Sequence, residues 1–358
     1  EAMIRRLYVR ALQPGRSELA LEDLPLAEAM LANAGDPQEL RALFLNNSGA
    51  IRLSVGDREG ARAAFEAALA AKERIVDPDH LDNAATLANL GMLTADPATR
   101  EALHARMIAI YEAHLGPEHP QTLDGRLLAA LYTADPAAAA ASLRELCRTF
   151  RGRGDVELAS ECAYELGRIE DARAATDEAR AAFEDARAAT PEDTSRRVLL
   201  DAYLAVDADA DARAEATADL RALLAMVDAE NQSEAIDWWI RVEQAERRLV
   251  LARLLLAGDA PAGEATALLE RALADVESIA GEAPPIERER LLAACRAALS
   301  VALRGDPDHN HLSEVEARAA SLAAAARAFY ERWPDAYRRR LARLPRNPPP
   351  DHHVDRRP

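Results

Sequence analysis

Eight histidines, three cysteines and a dense population of carboxylates are the groups in this 358-residue chain that could do chemistry. The tightest cluster is Asp306, Asp308, His309 and His311, with His352 and His353 further on, a mix of oxygen and nitrogen donors suited to a transition metal. It falls in a turn and a polar tail, where nothing fixes ligand orientation, so the expectation is solvated loop chemistry and no bound metal or cofactor. Cys147, Cys162 and Cys295 are too few, and odd in number, for a disulfide framework or a zinc ribbon. Cys147 and Cys162 can lie on neighbouring helices, but a small buried apolar role suits each of the three. Paired carboxylates, Glu287 with Glu289 and Asp207 with Asp209 and Asp211, stand among arginines or on exposed helical stretches, where they keep a chain soluble and nothing raises their pKa for acid–base work. The one dense glycine cluster, Gly152-Arg153-Gly154, has no strand before it and lacks a phosphate-loop lysine and hydroxyl. It reads as a turn, and the Arg153-Gly154-Asp155 triplet within it is set aside as an adhesion motif. The chain lacks a glycine-rich loop with its strand lysine, His-Arg-Asp and Asp-Phe-Gly, so no kinase machinery lies within it. No catalytic residue is assigned.

The elements carrying these groups are helices. Apolar residues are 49% of the chain and aromatics only 4%, with alanine close to a quarter, which excludes most all-β architectures because a pleated face needs β-branched and aromatic mass. Apolar positions recur at helical spacing, as in Ala61, Ala64, Phe65, Ala68 and Leu69. Breaks recur at Gly56-Asp57, Asp77-Pro78, Asp96-Pro97, Gly116-Pro117, Asp135-Pro136, Gly152 to Gly154, Pro191, Gly258-Asp259, Pro284-Pro285 and Gly305 to Pro307. Helices that short and alanine-rich need their neighbours for stability.

Internal repetition then decides the architecture. Thr94-Ala95-Asp96-Pro97-Ala98 returns 39 residues later as Thr133-Ala134-Asp135-Pro136-Ala137, and Asp77-Pro78-Asp79-His80 returns after the same interval as Gly116-Pro117-Glu118-His119. His80 and His119 therefore belong to a repeated loop and suit a cap or turn hydrogen bond. Gly49, Ala61, Phe65 and Ala68 share their spacing with Gly167, Ala179, Phe183 and Ala186, and Arg253, Ala265, Leu269 and Ala272 form a weaker copy with the glycine place lost. Small residues let paired helices approach, the ring fills the space beside them, and Pro191 ends a second helix. In the two intervening repeats His104 and Leu143 take the ring's place and Met107 and Leu146 that of the alanine, which predicts a looser or shifted crossing there.

These residues resemble tetratricopeptide repeats, and the loop Leu115-Gly116-Pro117-Glu118-His119-Pro120 is similar to that joining the repeats of kinesin light chains. The resemblance is good over residues 40–150, follows the 34-residue form over 155–191 and is loose over 193–280. It implies an all-α, right-handed superhelical solenoid of roughly eight antiparallel helix pairs. The expected organisation is N-terminal helices over 1–35, repeats over 36–191, degenerate repeats over 192–283, C-terminal helices over 284–344 and a disordered tail over 345–358. The alanine- and arginine-rich composition, these loops, and the segment Ala323 to Tyr330 followed by Pro334-Asp335-Ala336-Tyr337-Arg338 also resemble the C-terminal repeat region of large serine/threonine protein kinases of the myxobacterial type. That resemblance implies a regulatory or docking array with a kinase domain ahead of it, and an opening on Glu1-Ala2 fits a piece of a longer chain. The rival expectation is the sensor array of a bacterial transcription regulator or signalling ATPase.

Charge narrows the partner. A net charge of −17 repels a phosphate backbone, and no run of uncharged apolar residues reaches membrane-spanning length, so the expected partner is a protein or peptide, or a second copy of the chain, in the cytoplasm, and not nucleic acid or a membrane. The last 28 residues run the other way, with eight arginines against four acids; Arg338 to Arg340 read either as a solvated helix end or as a contact for an acidic surface. In a stack of helix pairs the first helix of each pair lines a concave face that accepts a peptide. Asn46, Asn47 and Asn89 fall on first helices, where amides can pair with a peptide backbone, and Arg52, one turn beyond, can meet an acidic group. The same asparagines can equally cap or bridge helices. Trp238 and Trp239 point about 100° apart on one helix, so one can be core and the other an interface anchor.

Overall fold

The computed structural model describes residues 1–11, 13, 16–192, 194–230, 238–258, 260, 262–279, 285–305 and 312–344. Those residues form eighteen α-helices and no strand. The Asp306 to His311 cluster, His352, His353 and the tail over 345–358 lie outside the described residues, as do the side chains of Trp238 and Trp239. The chain divides into two units, Glu1–Ala134 and Asp135–Pro358, with the boundary inside the stretch read as continuous repeats.

In the first unit, α1 (Ala2–Ala11), α2 (Ser17–Glu22) and α3 (Leu24–Asn33) bury Ile4, Leu7, Ala20, Leu24 and Leu31 against Phe44 and Ile51 of α4 (Gln38–Ser54). Pairs follow: α4 with α5 (Arg58–Lys72), then α6 (Leu81–Leu93) with α7 (Pro97–Leu115), then α8 (Pro120–Tyr132). In the second unit α9 (Pro136–Arg153) packs on α10 (Val156–Ala172), which pairs with α11 (Thr176–Ala189). After these come α12 (Ser195–Ala205) with α13 (Ala210–Glu230), α14 (Trp238–Ala257) with α15 (Ala262–Ser278), and α16 (Pro285–Gly305) with α17 (Leu312–Tyr330), closed by the short α18 (Arg338–Arg343). The fold is thus an all-α array of antiparallel helix pairs, in which the α4–α5 and α10–α11 pairs share one register. A Cβ added to Gly49 would stand 2.8 Å from the Phe65 ring, and one added to Gly167 would stand 2.5 Å from that of Phe183.

The repeated loops are capping devices. Asp96 and Asp135 are the N-caps of α7 and α9 and accept from Thr99 N and Ala137 N, with a proline opening each helix where its missing N–H costs nothing. Thr94 and Thr133 close the preceding helices by donating to the carbonyls of Leu90 and Ala129. His80 and His119 are N-caps of α6 and α8, each accepting through Nδ1 at 3.2 Å from a backbone N–H two residues on. The next copies in the period, Asn83 and Thr122, are fully buried and hold the loop from inside by bonds to the Asp77 and Pro78 carbonyls and to the Gly116 carbonyl. The loops before α6 and α8 are thus bonded both at the helix they open and from the buried side.

One packing expectation is corrected. The crossing with His104 in the ring's place is as tight as those with phenylalanine: His104 is buried, lies against Gly91 and meets Tyr132 edge-on at 5.8 Å. The imidazole is flat like the phenyl group it replaces, and burial pushes its pKa down to about 4, so it packs as a neutral ring.

Candidate functional site: an interaction cavity

In the second unit the first helices of successive pairs form one layer, with α12 on α14 and α14 on α16. A cavity of about 700 Å³ opens along that layer, bounded by the C-terminal end of α10, by α11, α12, α14 and α16, and by the segment after α17. Its apolar wall comes from Leu249 and Leu256 of α14 with Ala294, Ala297 and Ala298 of α16, and ends in Val301, which is 55% exposed. Opposite stands a polar strip of Asp177, Arg180 and Asp207. Between them Phe183 and Tyr203 stack at 4.3 Å.

The charged floor is a bidentate pair: Arg253 donates from both terminal nitrogens to Asp171 at 2.7 and 2.8 Å. Burial works against the guanidinium, but the carboxylate outweighs it and holds the pKa of Arg253 above its ordinary value. Arg253 occupies the place that glycine holds in the better repeats. The long side chain there reaches across to α10. Arg340 of α18 donates to the carbonyls of Asp171 and Ala172 at 2.5 and 3.2 Å, where a cation suits the negative end of α10. Arg339 lies 3.5 Å from Glu178, and Arg173 returns a bond to the Ala336 carbonyl. Arg338 and Arg339 stay exposed, and Arg340 alone of the three turns inward. With Tyr330, Tyr337 and Leu344 buried beside Ala293 and Ala297, Arg340 and Leu344 form the end wall of the cavity.

A narrower cleft of about 270 Å³ runs between α10, α12 and α14. Arg168 bonds both carboxylate oxygens of Glu165 at 3.0 Å and reaches Glu246 at 2.9 Å. Glu246 is buried and also accepts from the Tyr203 hydroxyl at 2.6 Å. Arg168 and Arg196 flank the Tyr164 ring at 5.6 and 5.0 Å, and Arg196 pairs with Glu161. Burial first, then the Glu246 charge, pushes the Tyr164 and Tyr203 phenols well above their usual range, which fixes them as neutral donors. This cleft presents fixed, mutually neutralised charges; the larger cavity presents apolar surface beside them.

The residues picked from sequence for peptide binding lie in the first unit, Asn46, Asn47 and Arg52 on α4 and Asn89 on α6. The Asn47 amide is buried and donates to the Ile4 carbonyl at 3.4 Å, tying α4 to α1. Asn46 accepts from Thr86 at 2.9 Å, and Lys72 donates to the same hydroxyl at 2.7 Å, so Asn46 bridges helices. Arg52 is paired with Asp57, the N-cap of α5, at 2.9 Å. Asn89 is half-buried, and its side chain makes no hydrogen bond within the described residues. Of the cavity's residues, the sequence marks Arg253 as a departure from the repeat without assigning it a site, and Val301 carries no mark at all. The lost glycine at 253 was the available signal.

No family model matches the chain, and no curated protein does. Among solved structures, a kinesin light chain from Podospora anserina with nearly identical tetratricopeptide-like repeats is similar to it at 19% identity and a TM-score of 0.26, covering 68% of this chain and 97% of its own. A superposition at that score supports no inference about function.

Proposed function

We propose that the chain is a non-catalytic docking array whose cavity between α10, α12, α14 and α16 receives a short segment of a partner protein. What carries the reading is the pairing of an exposed apolar wall at Val301 with a pre-formed ion pair, Arg253 with Asp171, on faces contributed by successive repeats. An apolar side chain of the guest has somewhere to be buried, and its backbone has fixed polar groups beside it. Of the carboxylates lining the cavity, Asp171 is held by Arg253. We further read the array as the regulatory region of a bacterial serine/threonine protein kinase acting in the cytoplasm; the support is the likeness of the repeat loops and of the Ala323 to Arg338 segment noted above.

Selection of displayed peptides on the immobilised chain tests the docking site. Peptides enriched on the wild type are expected to lose at least about tenfold in affinity on Val301→Asp and to bind Val156→Asp unchanged. Val156 is equally exposed but lies outside the cavity. Equal binding to all three proteins removes the cavity assignment. For the kinase reading, the coding sequence ahead of Glu1 is expected to hold a glycine-rich loop, His-Arg-Asp and Asp-Phe-Gly; a helix-turn-helix or a phosphate loop there transfers the array to a transcription regulator or ATPase.

A further inference from the structure

We propose that Cys147 and Cys162 form a reversible dithiol/disulfide pair, a redox modification site that joins α9 to α10. The two sulfurs lie 2.8 Å apart across the helix interface. That is closer than the roughly 3.5–4 Å of ordinary nonbonded contact and less than about 1 Å from the length of a disulfide. The turn that brings them together is built into the backbone. Gly154 takes the left-handed conformation at φ 78°, Asp155 N bonds the Phe150 carbonyl at 3.0 Å, and α10 runs back along α9. The pair is asymmetric. The Cys162 thiol is within reach of both the Leu143 carbonyl at 3.2 Å and the Cys147 sulfur. That thiol, with Arg151 one turn along α9, favours the thiolate at Cys147, while the Cys147 sulfur first and burial second hold Cys162 protonated. Cys147 is therefore the attacking sulfur and Cys162 the resolving one.

The oxidant class is a small hydroperoxide, because Cys147 and Cys162 are 3% and 0% exposed and only a small molecule enters through local opening. The Cys147 thiolate attacks the terminal peroxide oxygen, the O–O bond breaks, and the alkoxide or hydroxide leaves with a proton, giving a sulfenic acid on Cys147. The Cys162 sulfur then attacks that sulfenic sulfur, the S–S bond forms, and water leaves with the sulfenic oxygen and the Cys162 proton. Two thiols are oxidised by two electrons and one peroxide is reduced to an alcohol or water, and to water. A thiol reductant reverses the bridge by exchange. The inference does not depend on whether the cavity docks a partner.

The experiment treats the whole chain with hydrogen peroxide at a dose that converts the exposed Met226 to its sulfoxide, then alkylates in denaturant and maps peptides by mass spectrometry. The expected result is that alkylation falls from three cysteines to Cys295 alone, that a Cys147–Cys162 peptide pair appears, and that dithiothreitol restores all three sites. The oxidised wild type is also expected to melt several degrees above the reduced protein, a shift absent from Cys162→Ser. Three alkylatable cysteines after Met226 has been oxidised, or Cys147 carried to sulfinic acid with no bridged peptide, overturns the proposal.

Discussion

Adding one methyl group at each of two glycines, Gly167 and Gly152, separates close helix packing from helix propensity within the same unit. Alanine in place of a helical glycine stabilises by up to about 1 kcal/mol where nothing is in the way. At Gly152, in the last turn of α9, nothing lies within 4 Å of the new Cβ, so Gly152→Ala is expected to gain about 0.5–1 kcal/mol. At Gly167 the new carbon stands 2.5 Å from Cδ1 and Cε1 of Phe183, a ring fixed from its other side by Tyr203 at 4.3 Å. The Phe183 ring must shift to admit the new carbon, and overpacking of that kind costs about 1–3 kcal/mol. The net for Gly167→Ala is a loss of about 1–2 kcal/mol. The two variants should melt about 5–10 °C apart for a unit of this size, read by circular dichroism on reduced protein. The cause is tested by Gly167→Ala combined with Phe183→Leu, in which the smaller side chain makes room. The pair is expected to be less destabilising than the sum of its members by about 1 kcal/mol. If Gly167→Ala melts with or above Gly152→Ala, or the double variant is strictly additive, the glycine-and-ring crossing does not hold these helices together.

His104 gives an acid dependence. Its folded pKa of about 4 lies below the ordinary 6.5, so the unfolded chain binds the proton first and stability is lost as the pH falls from 6.5 toward 4, by up to about 3 kcal/mol. His104→Phe, which restores the ring of the other repeats, should flatten that limb in urea titrations run across the range, and an unchanged slope refutes the assignment. Ala174 sits at φ 56° in the place that Gly56 holds in the α4–α5 pair. An L-residue there costs about 1–2 kcal/mol, partly offset by the freedom glycine has in the unfolded chain, so Ala174→Gly should raise stability by about 0.5–1 kcal/mol; a lower melting temperature would show that the buried methyl outweighs the strain.

What the sequence revealed and what it withheld follow from how far each interaction reaches. Period, register and caps were legible because they are local: a proline after Asp96 or Asp135, a threonine two residues before each, and a glycine sixteen residues ahead of Phe65 or Phe183 are all written within a single helix pair. The asparagines read as peptide-binding rest on the same local basis, which does not say what they face. Whether Asn47 faces a guest or a neighbouring helix depends on Ile4, 43 residues away, and the fate of Asn46 depends on Thr86 in the next pair. The cavity is more distant still from local reading. Its ion pair joins residues 82 apart, and its end wall reaches α10 from 169 residues downstream. No spacing rule predicts that Arg340 will cap α10 rather than meet solvent. Departures from the repeat are the exception that makes such sites findable. A small residue suits a helix crossing, so an arginine placed there must send its side chain elsewhere, and the structure shows where: at 253 the guanidinium is held by a carboxylate two pairs earlier, on the floor of a cavity. The positions at which a repeat breaks its own rule are thus the first places to look for what the array binds.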